Sequence, residues 1–302
     1  MNGTKGGAAG GQGPTPAQSE EFARVSSRLS VGDYLPRTFH DGSAAPGKCE
    51  WSSHVAHGLT PKEVGALAWL LIDSIMFSRF GPAKKQYDQW RRHTLSGTPI
   101  PSPGNVVIGS FVKPVFGLPG APKNDDHLHG HVGEWLWYLL TRDSPTLRVQ
   151  PEPKSSVTDG GADGFSIYET PKGEFRFRLW ESKKNTGAGP LKASLNTAYK
   201  QLEGAGQEYV AKIVGAYAHY MTSDEIVDFV TELPEAWVQG SEIVGAGVTL
   251  ATHQILPKDP FANMASHLPL LSGPGQLRGL VASVSTLDKL ARTVREYAWT
   301  AL

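Results

Sequence analysis

The stretch from Asp159 to Asn185, DGGADGFSIYETPKGEFRFRLWESKKN, constrains the fold more than any other part of the chain. Two runs rich in aromatic residues, ADGFSIYE and GEFRFRLWESKK, flank TPKG, where Pro171 presets a turn and Gly173 can supply a positive φ. This pattern predicts an antiparallel hairpin. Alternation along the second strand puts Phe175, Phe177, Leu179, Glu181 and Lys183 on one face and Arg176, Arg178, Trp180 and Ser182 on the other. On the first strand Asp163, Phe165 and Ile167 share a face in the same way. The strands therefore leave an apolar core and enter a polar region at one end, where Asp163 returns toward Glu181 and Lys183.

The rest of the chain can supply the core this hairpin needs. It has 302 residues, 39% of them hydrophobic, which excludes disorder throughout. A formal net charge of zero offers no global field for nucleic acid or acidic lipid, so any such surface must be local. The one cysteine, Cys49, excludes an internal disulfide framework and fits a reducing, cytoplasmic setting. The longest apolar run, Val64 to Phe77, is shorter than a bilayer span and carries Asp73, so no membrane association is expected. Residues 1–21 read as a flexible Gly-rich tail without a secretory signal, with folded structure starting near Phe22.

Residues 22–124 read as an N-terminal helical region and connector. Thr60, Pro61 and Glu63 form a capping box that opens a helix running to about Phe80, and PAKKQYDQWRRH continues helically. The Pro- and Gly-rich segment from Ser96 to Asn124 is expected to lose helical character, with NVVIGSFVKPVFG as a strand-like piece. Residues 125–302 then form the second region. HGHVGEWLWYLLTR is helical, with Val132, Trp135, Leu136 and Leu139 on one face. TLRVQPE is a short strand, followed by the hairpin. A long helix from Leu191, interrupted near Gly204 and Gly206, precedes a helix at SDEIVDFVTEL capped by Thr222 or Ser223. EIVGAGVTLATHQI is a strand, and TLDKLARTVREYAWTAL closes the chain as an amphipathic helix. The order is helix, three strands, helix, strand: an α/β fold with a small mixed sheet.

Two carboxylates and an ammonium at one sheet end have a specific chemical use. Carboxylate oxygens hold a hard divalent cation such as magnesium, which keeps several waters. The cation polarises a phosphodiester and acidifies water, while a lysine orients that water and offsets developing charge. The GADG turn, the strand ending WESKK and the element order resemble the PD-(D/E)xK nuclease superfamily, whose restriction-endonuclease-like core is αβββαβ. The resemblance covers roughly Asp125 to Gln254 and departs at Ala162, where the name-giving proline would stand.

It implies a Mg2+- or Mn2+-dependent nuclease acting on DNA. Asp163 would be its aspartate and Glu181, Ser182 and Lys183 its (D/E)xK triplet; Glu134 would be the acid on its first core helix and Gln201 a glutamine on the following helix. The metal would be held by Asp163, Glu181, the Ser182 carbonyl and Glu134, and Lys183 would handle the attacking water. Within the superfamily, GADGFSIYE, LWESKK and GHVGEWLWYLL are similar to the HamA nuclease subunits of Hachiman-type bacterial antiphage systems, which implies a defence effector with a helicase partner.

Several alternatives stand beside this reading. Asp159 competes with Asp163 for the metal, and Lys184, Lys192, Lys200, Arg176 and Arg178 form either a phosphate track or a solvated face. NDDHLHGHVGE places Asp125, Asp126, His127, His129 and His131 together, a pattern that can hold zinc in a hydrolase. A third reading keeps the fold without catalysis, as a nucleic-acid- or partner-binding module with Trp135, Trp137 and Trp180 as contacts. TGAGPLK and SGPGQLRG do not complete a phosphate loop, and Cys49 has no identifiable base. An unrestrained nuclease would damage its host, so the N-terminal region is expected either to fold over the hairpin or to leave that task to a partner.

Overall fold

The computed structural model describes residues 30–42, 45–153, 162–217 and 223–302. The Gly-rich tail, the expected start near Phe22 and the competing candidate Asp159 lie outside them.

A short helix α1 (Val31–Tyr34) leads into β1 (Arg37–Asp41) and β2 (Glu50–Ala56). Three helices follow: α2 (Pro61–Phe80), α3 (Lys84–Ser96) and α4 (Gly104–Phe116). The small strands β3 (Gly117–Leu118) and β4 (Ala121–Pro122) form their own two-stranded sheet. Then come α5 (Asp125–Thr141), β5 (Leu147–Val149), β6 (Gly164–Glu169) and β7 (Phe175–Asn185). The chain continues through α6 (Leu191–Tyr217), α7 (Asp224–Gln239), β8 (Val244–Thr252), α8 (Met264–His267), β9 (Leu277–Val284) and α9 (Leu287–Trp299).

The result is a mixed α/β fold on a seven-stranded sheet of order β1-β2-β9-β8-β7-β6-β5. Its four inner strands β2, β9, β8 and β7 are parallel, and antiparallel pairs close both sides. Every residue of β8 is buried, as a central parallel strand covered on both faces requires. On one face Phe165, Ile167, Phe177 and Leu179 pack with Leu195, Ala198 and Leu202 of α6 and Val230 and Leu233 of α7. On the other, Ala56, Ala251, Ala282 and Val284 meet α2, α5 and α9.

Local sequence signals explain most helix ends. The Thr60 Oγ1 accepts the Glu63 N–H at 3.3 Å while Glu63 Oε2 accepts the Thr60 N–H at 2.8 Å, which is the expected box at the start of α2. Four expectations need correction. NVVIGSFVKPVFG is the helix α4, not a strand: Ile108, Val112, Val115 and Phe116 are buried against the neighbouring helices, and this packing outweighs Pro114. The helix α6 runs without interruption, because Gly206 gives room to Trp237; an added Cβ would lie 2.5 Å from its ring. Ser223 stands at the N-cap of α7 but makes no side-chain capping bond. The N-terminal region is not purely helical: it contributes β1 and β2 to the main sheet, on the far side of β9 and β8 from the hairpin. The strands β1 and β2 therefore complete the sheet on the side away from the hairpin and do not cover it.

Candidate functional site

The hairpin forms in the expected register, with Gly173 at φ +82° in its turn. Phe165 pairs with Leu179 and Gly164 with Trp180, which sets Asp163 across from Glu181. Because β7 is parallel to β8, β9 and β2, this end of the hairpin lies at the carboxyl edge of the parallel strands, the usual place for ligands in open α/β sheets. The Ser182 backbone N–H donates to Asp163 Oδ2 at 2.6 Å, tying the acid to β7. Lys183 Nζ donates to Glu181 Oε1 at 2.5 Å. Their burial differs sharply: the Glu181 side chain is 3% exposed and that of Lys183 21%. The acid is held inside the fold, and the ammonium reaches water.

The rim of this site is braced. Gln254 Nε2 donates to Asn185 Oδ1 at 2.9 Å and to the Gly187 and Gly189 carbonyls at 2.8 and 2.9 Å, fastening the loop after β7 to the segment after β8. Tyr209 of α6 lies close enough for both hairpin acids to act on it. Burial raises its phenol pKa first, and the charges of Glu181, Glu208 and Asp163 add to the rise. Sequence reasoning missed Tyr209, although it stands two helical turns beyond Gln201 on the same side of α6. The Gln201 Oε1 atom is buried without a hydrogen-bond partner among the described residues.

The structure brings together Asp163, Glu181, Ser182 and Lys183. Among the described residues no group of three or more His, Cys, Asp or Glu side chains that could hold a metal ion is found. The Glu134 side chain is 18% exposed, and its Oε2 lies 3.9 Å from His131 Nδ1. The donor set that does form is two carboxylates on neighbouring strands. Such hard oxygens fit magnesium or manganese, which take one or two protein carboxylates and retain waters.

The histidine segment is divided among different partners. His129 Nε2 is 3.0 Å from Asp288 Oδ1, and Asp125 pairs with Arg295 at 2.7 Å, which holds its carboxyl below the usual range. Asp126 is engaged by Lys184. Burial depresses the pKa of His127, and that of His131 falls to about 3 through burial, with the charges of Arg79 and His127 adding to it. The three imidazoles start a helix at two-residue spacing, so consecutive ones point away from each other. Trp135, Trp137 and Trp180 are all buried, and of the three only Trp180 lines the cavity on the opposite face of the sheet. Of the basic residues read as either a phosphate track or a solvated face, Arg176 is bonded to Glu174 at 3.2 Å, and Arg178 lies on the opposite face of β7 from Glu181. Burial pushes the Cys49 thiol well above its usual range, so it is not an activated nucleophile.

No protein-family model matches the chain, and no curated protein matches it. Among the described residues no helix is long and apolar enough to cross a membrane.

Proposed function

We propose that this chain is a divalent-metal-dependent nuclease with a restriction-endonuclease-like core, hydrolysing phosphodiester bonds of DNA. The observation that carries the reading is the approach of Asp163 to Glu181 across the hairpin, with Lys183 on the same carboxylate. The run α5, β5, β6, β7, α6, α7, β8 supports the resemblance to the αβββαβ core, apart from one additional helix before β8.

Asp163 and Glu181 would hold Mg2+ or Mn2+, with the Ser182 carbonyl as a further oxygen. The ion supplies electrophilic activation of phosphate and water when bound. Glu181, almost wholly buried, is fixed in orientation by the strand and by Lys183. Lys183 keeps its ammonium at the solvent side, where it can orient a water and offset charge developing on phosphate. Tyr209 lies within electrostatic reach of both acids. The similarity to Hachiman-type nuclease subunits extends the proposal to antiphage defence beside a helicase partner.

Cleavage of supercoiled plasmid and linear duplex, with Mg2+, Mn2+ or EDTA, tests the assignment. Wild type is expected to cut only with a divalent ion, and Glu181→Gln and Lys183→Ala at matched folding are expected to lose activity. Cleavage that survives both substitutions would remove the hairpin from the mechanism. The same assay with the helicase partner present tests the wider proposal.

A further inference from the structure

The opposite face of the sheet carries a second polar site near the amino ends of the parallel strands. Cross-strand pairing aligns Glu50, Arg278, Gly247 and Trp180 in one row, with Arg178 two residues earlier on β7, on the same face. They line a cavity of about 960 Å³, to which β1 adds Arg37. Gly247 makes the arrangement possible, since a Cβ there would fall 2.2 Å from the Trp180 ring.

The wall of this cavity holds buried donors that lack acceptors. Arg178 Nη2 donates to the Gly275 carbonyl at 2.7 Å, and its guanidinium lies 5.4 Å from the Tyr168 ring centre and 5.7 Å from that of Trp180. Among the described residues, no carboxylate pairs with it. Arg278 pairs with Glu50 at 2.5 Å. Even so, the Nε atoms of Arg178 and Arg278 and the indole Nε1 of Trp180 are buried without a hydrogen-bond partner among the described residues. Desolvation, together with the charge of nearby Arg278, lowers the pKa of Arg178 to about 10. The two guanidiniums share one carboxylate, Glu50, so one positive charge and three unsatisfied donors remain that an anion would satisfy.

We propose that this cavity binds a phosphate monoester of nucleotide size, with Arg178 and Arg278 gripping the phosphate and Trp180 donating to it. A guanidinium fork matches phosphate geometry, and the volume exceeds what a bare oxyanion needs. Other acids lining the cavity are already engaged: Asp143 by Arg142 at 3.3 Å, Glu169 by Arg148, and Glu242 by Arg176 at 3.9 Å. The site is assembled from several strands, and the glycine-rich segment that lines it around Gly275 lacks the G-K-[ST] ending of a phosphate loop, so no local motif announces it. It does not depend on the nuclease reading.

The monoester can belong to a free nucleotide or to a phosphorylated strand end, and calorimetric titration of the full-length protein in EDTA distinguishes them. The probes are AMP, inorganic phosphate, and an oligothymidylate with either a 5′-phosphate or a 5′-hydroxyl. Saturable binding of AMP or of the 5′-phosphorylated strand is expected, with the 5′-hydroxyl strand and inorganic phosphate weaker. Arg178→Gln, Arg278→Gln and Arg37→Ala should each weaken binding about tenfold or more, at unchanged circular dichroism. If Arg178→Gln does not fold, the other two carry the test. Failure of both AMP and the phosphorylated strand to bind, or unchanged affinity in Arg278→Gln, would overturn the proposal. Inorganic phosphate binding as tightly as AMP would overturn its nucleotide-sized part.

Discussion

The unequal burial of Glu181 and Lys183 predicts that removing the lysine destabilises the fold more than removing the acid. In Lys183→Met the carboxylate of Glu181 stays inside the fold, 3% exposed, after losing the ammonium 2.5 Å away. Breaking a buried pair from that side costs about 3–5 kcal/mol, and partial access of water from the lysine side reduces this to roughly 2–4 kcal/mol. In Glu181→Gln the amide keeps the shape and an acceptor for Lys183, whose ammonium can turn to solvent. That loss should be about 1 kcal/mol or less. The double variant should lie close to Glu181→Gln, giving a coupling of roughly 2–4 kcal/mol across the cycle. Urea unfolding of the four proteins at one pH and salt concentration measures it. Lys183→Met proving no less stable than Glu181→Gln would refute the reasoning, because it would mean that Glu181 is not a desolvated charge held by its neighbour.

Two further predictions concern the helix α5 that packs against the hairpin. The His131 imidazole, buried against Phe116 and Trp135, is depressed from 6.5 to about 3. Between these values the unfolded chain binds a proton that the native state refuses. Stability should therefore fall as pH drops through that window, by up to several kcal/mol. Urea midpoints from pH 7 to 4 should fall less steeply in His131→Asn than in wild type, and equal slopes would contradict the assignment. Gly164→Ala places a Cβ 2.5 Å from the Trp137 ring, so it should cost about 1–3 kcal/mol in a thermal melt. Because Gly164 adjoins Asp163, the substitution should also reduce cleavage, and an unchanged melting point would show that Trp137 can move aside.

The hairpin was legible because its evidence is local. Pro171 and Gly173 define the turn, the strict alternation defines the faces, and together they set the register that brings Asp163 to Glu181. The start of α2 at Thr60 and the close of the chain at α9 were readable for the same reason. The missed strands β1, β2 and β9 lack such signals. EWSSHVA is mostly small and polar, and LRGLVASV is short and carries an arginine and a glycine; each becomes a strand through a partner far along the chain, β2 with β9 and β9 with β8. The segment NVVIGSFVKPVFG misled because its Pro and Gly speak locally against a helix, whereas the surrounding helices bury one of its faces. Tyr209 escaped notice for a related reason, since no motif links α6 to the hairpin and only packing does.

The strand β7 relates the two proposed sites. Its alternation sends Glu181 and Lys183 to one face at the carboxyl end and Arg178 and Trp180 to the other face nearer the amino end. Leu179, buried in the hydrophobic cluster against α6 and α7, separates Arg178 from the acid along the chain. The two polar groups therefore lie on opposite faces of one strand, with Leu179 packed in the core between them along the chain. This arrangement allows the two sites to be perturbed independently by single substitutions. Arg278→Gln alters the cavity wall from a neighbouring strand and should leave metal-dependent cleavage unchanged, whereas Lys183→Ala should abolish cleavage and leave nucleotide binding in EDTA intact. Loss of both functions in either variant would show that β7 transmits a disturbance from one face to the other, and the sites would then have to be treated as one coupled unit.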